Sequence, residues 1–96
     1  MILHTVNKSP STQSTLKECL FTATNGDNIL LIEDGVYGST TAFKALLKEG
    51  LHYFVLQEDL DARGIAIDQL APEWTAISYT GFVELTETAD TVCSWF

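Results

Sequence analysis

Basic side chains are scarce in this chain: five lysines and arginines face thirteen aspartates and glutamates, for a formal charge of −8 at pH 7. A protein that grips nucleic acid needs a cationic stripe to displace phosphate counterions, so direct nucleic-acid binding is not expected. Cysteine is nearly as sparse. Cys19 and Cys93 make no disulfide scaffold, and with His4 and His52 they form no zinc spacing. Gly35-Val36-Tyr37-Gly38 is neither a Walker loop nor a dinucleotide fingerprint, so nucleotide binding is not expected; with no zinc spacing either, no metal and no cofactor are expected. No apolar run approaches a membrane span, and Met1 to Lys8 lacks the basic start and apolar centre of an export signal. The expected location is the cytoplasm, with no membrane partner and both thiols reduced.

What the chain does have is apolar mass on a short frame. At 96 residues there is room for one domain, residues 1–96, yet 46% of the side chains are hydrophobic and the mean hydropathy is +0.12. A domain of this size hides only roughly two thirds of its unfolded surface, so a surplus of apolar surface points to a covering partner.

The organising stretch is Asn28 to Gly38. Ile29, Leu30, Leu31 and Ile32 are four consecutive aliphatics, which fits a strand buried on both faces and hence a parallel sheet. The run stops at Glu33-Asp34-Gly35, and Phe43, Leu46 and Leu47 return at helical spacing, predicting a helix from about Ser39 to Glu49 closed by Gly50. Around this unit, Ile2, Leu3 and Val6 read as a first strand. A helix from Ser14 or Thr15 follows, with a Thr15–Glu18 capping box and an inner face of Leu16, Cys19, Leu20 and Ala23. Tyr53 to Leu56 reads as a third strand, followed by a short helix with Asp59 as N-cap and an Asp59–Arg63 pair. Trp74 to Ser78 makes a fourth strand, then a helix capped by Thr80 presents Phe82, Leu85 and Ala89, and Val92 to Phe96 closes the sheet. The alternation predicts a single-domain three-layer α/β/α fold with a mostly parallel sheet of about five strands.

Few side chains suggest chemistry. Glu33 and Asp34 suit an acid/base pair or a hard cation in principle, but adjacent carboxylates at a strand end are commonly turn formers. Cys19, a turn into its helix and near Lys17, is the better thiol, although it shares the apolar stripe of Leu16 and Leu20. The closing segment presents Val92, Trp95 and Phe96 on a sheet-edge strand, where aromatics serve as core or as interface anchors. With Tyr79 and Phe82 they form the candidate interface set.

Four blocks carry a family resemblance: Leu3 to Pro10, Leu30 to Val36, Val55 to Leu60 with Ala62-Arg63-Gly64, and Ile77 to Thr86, with Trp95 near the end. They resemble the TusB/DsrH family in order and over nearly the whole chain. The resemblance implies a DsrEFH-like fold and a subunit of a sulfur-relay complex, TusBCD or DsrEFH, built as a two-fold heterohexamer with TusC/TusD-like or DsrE/DsrF-like subunits. Such complexes pass sulfur as cysteine persulfide. In the Tus branch it arrives from TusA and leaves through TusE toward 2-thiouridine at the tRNA wobble position, whereas the Dsr branch serves sulfur oxidation. The principal acceptor cysteine belongs to the TusD or DsrE subunit and maps to no residue here. Cys19 matches a cysteine of DsrH-type members, which makes it the persulfide candidate of this chain.

The expectation is a mainly structural subunit that self-associates when isolated. Its rivals are a DsrH-type subunit using Cys19 as a secondary sulfur-handling thiol, a free-standing sulfurtransferase, and a homo-oligomeric small-ligand-binding module on the acidic loop.

Overall fold

The computed structural model describes residues 1–96. Strands β1 (Ile2–Val6), β2 (Asn28–Leu31), β3 (His52–Leu56), β4 (Trp74–Ile77) and β5 (Thr91–Trp95) form one sheet in the order β4-β3-β2-β1-β5. Every pairing is parallel. All four residues of β2 are buried, as a strand with neighbours on both sides and layers on both faces must be.

Side chains alternate across the sheet, so the register sorts the core into two layers. His4, Val6, Ile29, Leu31, Tyr53, Val55 and Trp74 share one face, and most of them pack with Leu16, Cys19 and Leu20 of helix α1 (Thr15–Thr22) and Leu60 of helix α2 (Gln57–Ala62). Leu3, Leu30 and Leu56 point to the other face and are also buried. Successive right-handed crossovers from β1 to β4 put α1, α2 and the intervening 3-10 turns on the first face. The return from β4 to β5, at opposite edges, carries helix α3 (Tyr79–Thr88) across the second. That second layer is thin: no residue of α3 is fully buried.

Several local expectations are corrected. The helix from Ser39 to Glu49 does not form; two 3-10 segments, Glu33–Ser39 and Thr41–Leu46, take its place with a break at an extended Thr40. Consecutive hydroxyls explain the break. Ser39 Oγ donates to the Val36 carbonyl (2.6 Å) and Thr40 Oγ1 to the Tyr37 carbonyl (2.9 Å), while Thr40 bridges antiparallel to Leu70. Gly50 does adopt a left-handed φ of 89°, but in a turn beyond the last 3-10 segment. The Thr15–Glu18 capping box is absent: Ser14 is the N-cap, and its hydroxyl donates to the Glu18 carboxylate at 2.8 Å. Ser78, not Thr80, caps α3 by accepting from the Gly81 N–H (3.3 Å). Helix α2 starts at Gln57, so Asp59 lies in its first turn instead of capping it, with Arg63 Nη1 3.7 Å from its carboxylate.

The β2 exit is held by a close backbone approach. A Cβ on Gly35 would stand 2.1 Å from the Val6 carbonyl oxygen, which already accepts from Ile32 N–H at 3.0 Å. Gly35→Ala must therefore displace this turn from the end of β1, and we expect a loss of about 3 kcal/mol in urea unfolding. An unchanged midpoint would show that this approach tolerates relaxation.

Candidate functional site

Cys19 lies on the inner stripe of α1 and is fully buried, between Leu16 and Leu20 in the core. Burial pushes its thiol up to about 12, with smaller contributions from Cys93 and Asp27, so it is protonated at neutral pH. A persulfide acceptor needs a reachable thiolate. Cys93, on β5, is half-buried and opposite His4 in the β1–β5 register. We expect an alkylating reagent at neutral pH to modify Cys93 readily and Cys19 only after unfolding. Rapid native labelling at Cys19 in peptide mass mapping would mean that α1 opens.

The most connected polar group is one that sequence reasoning passed over. Asp27 sits in the turn before β2, 3% exposed. Its carboxylate accepts from the Ile2 N–H (3.0 Å) and the Thr24 N–H (3.0 Å), and lies 3.0 Å from His4 Nε2. His4, also 3% exposed, accepts at Nδ1 from the Trp95 indole N–H at 3.1 Å. An indole nitrogen only donates, so Nδ1 is bare and the proton of a neutral ring resides on Nε2, facing Asp27. The chain Trp95–His4–Asp27 thus ties β5 to β1 and β1 to the turn before β2. The clues in the sequence were an inward-facing histidine on a buried strand and an aspartate directly before an apolar run.

Burial pushes the Asp27 carboxyl up, but the hydrogen bonds from His4, Ile2 and Thr24 outweigh it and hold the group at about 2 against an ordinary 3.8. A depressed folded-state value stabilises the fold above the unfolded value and is lost on acidification. We therefore expect wild-type stability to fall as pH drops from about 4 toward 2. Asp27→Asn should be less stable at neutral pH and show a flatter acid limb; identical pH profiles would remove Asp27 from this role.

The candidate interface residues occupy separate places. Tyr79 and Phe82 meet edge-to-face at the start of α3, with centroids 5.9 Å apart and Tyr79 61% exposed. Val92 and Phe96 are exposed along β5, while Trp95 is half-buried against the core. At the acidic loop, Arg63 Nε meets the Asp34 carboxylate at 3.0 Å. Glu33 is exposed, with a left-handed φ of 51° and its N–H donated to Asp59 (2.6 Å). The Asp34 and Asp59 carboxylates thus brace the loop against α2. No group of three or more His, Cys, Asp or Glu side chains converges as a metal site.

Fold and polar tie together define a class: a small α/β domain on an all-parallel five-stranded sheet, closed at one edge by its terminal strand. Two solved structures share that architecture. The E. coli ychN protein superposes with a TM-score of 0.80 at 16% identity, covering 97% of each chain. Protein Tm0979 from Thermotoga maritima gives 0.72 at 23% identity, covering 91% of this chain and 92% of its own.

Sequence narrows the class further. The profile of the family described as DsrH like protein matches residues 8–92. Curated relatives named Protein TusB include one from Erwinia tasmaniensis, 38% identical over 88% of this chain and 90% of its own. Those from Yersinia pestis (41%, 88% and 90%) and Serratia proteamaculans (36%, 98% and 100%) agree. The chain belongs to the DsrH/TusB family.

Proposed function

We propose that this chain is a TusB-type subunit of a sulfur-relay assembly that leads to 2-thiouridine at the tRNA wobble position. In that assembly it shapes the complex around a persulfide-forming cysteine on a neighbouring TusD-like subunit and performs no sulfur transfer itself. TusC- and TusD-like subunits are its partners in a heterohexamer, with TusA- and TusE-like carriers reaching it through the complex.

The observation that carries this reading is the state of Cys19. The thiol that the family resemblance singles out is buried and protonated, so it serves here as a small core hydrophobe. The TusB names of the curated relatives favour the tRNA branch over sulfur oxidation. A net charge of −8 agrees with leaving tRNA to another protein. The exposed Tyr79, Val92 and Phe96 are the edges that partners would cover, and that would self-associate when the chain is alone.

The test is complementation of a bacterium lacking its own TusB, read as thiolated tRNA on a mercury-affinity gel. The wild-type chain and Cys19→Ala should restore thiolation equally and co-purify with TusC- and TusD-like subunits. Loss of thiolation in a Cys19→Ala protein that still assembles would make this thiol a sulfur carrier and overturn the structural reading.

A further inference from the structure

Four of the five cationic side chains are lysines, and three of them border one region of an otherwise acidic molecule. A groove runs between α1 and the Thr41–Leu46 segment, lined by Lys17, Leu20, Phe21, Ala45, Leu46 and Lys48. It continues past Lys17 and Leu46 to Phe43 and Pro10. No carboxylate lines either part; Glu18 shares the adjoining hollow with Lys17 and Phe21, where Ser14 Oγ donates to its carboxylate.

The cations differ in how far they are already used. Arg63 is taken by Asp34 and Asp59, Lys44 stands 3.8 Å from Glu73, and Lys48 Nζ donates to the Ala23 carbonyl at 2.6 Å. Lys17 is exposed and enters no ion pair or side-chain hydrogen bond of the molecule. Beside it on the same helix, Phe21 is 88% exposed, more than any other large hydrophobic residue of the chain. An unpaired lysine next to a solvent-facing phenyl ring, over a floor of Leu20 and Leu46, is the composition of a recognition groove rather than of a solvated face.

We propose that this groove receives a segment of another protein that carries carboxylates flanking an apolar anchor: the anchor packs on Phe21 and Leu46, and the carboxylates meet Lys17 and Lys48. Charge complementarity selects this occupant. With thirteen acidic side chains on the chain, the long-range field repels a polyanion such as RNA, and two or three lysines are too few to offset it. A short acidic segment adds few charges and brings the apolar contact that a phosphate backbone lacks. The inference stands on the groove itself and does not require the sulfur-relay reading.

The test places a photoreactive benzoylphenylalanine at position 21 of the full chain, expressed in cells, with mass spectrometry of the cross-linked peptide. Position 21 faces solvent, so the substitution leaves the core intact. The expected product joins this chain to an acidic segment of a different protein. Lys17→Glu, also at an exposed site, should lower the yield about tenfold, the equivalent of about 1.4 kcal/mol. Cross-links to RNA, to a second copy of this chain or to a segment without carboxylates overturn the proposal, as does no cross-link or a yield indifferent to Lys17→Glu. Co-purification of TusC- and TusD-like subunits is scored separately, so loss of the sulfur-relay reading and loss of the groove are distinct results.

Discussion

One buried carboxylate holds more of this sheet together than any other polar group. Asp27 takes hydrogen bonds from Ile2 and, through His4, reaches Trp95 on β5; its own carbonyl accepts from His52 N–H on β3 at 3.0 Å, and the residue leads directly into β2. Four of the five strands therefore meet at one turn. Burying a charge is costly unless its lone pairs are satisfied, and here three N–H groups satisfy them. Removing any partner leaves the others unpaired in the core, which is why the arrangement fixes register and not merely stability.

The consequence is an asymmetric molecule. The face under α1 and α2 carries a dense core that includes Cys19, while the face under α3 is closed by a helix with no fully buried residue. Both edge strands carry or adjoin exposed apolar side chains: Tyr79 follows β4, Val92 lies within β5 and Phe96 follows it. Such a molecule is internally anchored but peripherally unfinished, a form suited to a subunit. Cys19 lies inside the dense layer, whereas Tyr79 and Phe96 face solvent.

The parallel sheet was legible because Ile29 to Leu31 leave no polar face, and the inner stripe of α1 because Leu16, Cys19, Leu20 and Ala23 repeat at helical spacing. The helix expected after Gly38 was not, since apolar periodicity does not register the hydroxyls of Ser39 and Thr40 bonding back to the chain. The caps failed for a related reason: Ser14, Thr15, Ser78 and Thr80 are all competent, and only the path of the chain chooses among them. The polar tie was hidden because its members are separated by up to 91 residues and each alone looks ordinary. Cys19 shows the converse, a residue that pattern and family resemblance make conspicuous and that packing buries in the core.

The tie between β5, β1 and the turn before β2 is read most directly from the ring nitrogen of His4 that carries the proton, by an imidazole nitrogen-15 correlation spectrum. A ring with Nδ1 bare and the proton on Nε2, accompanied by a Trp95 indole N–H protected from solvent exchange, is the expected result. A proton on Nδ1, or an indole N–H that exchanges freely, would mean that the terminal strand is held by something other than this tie.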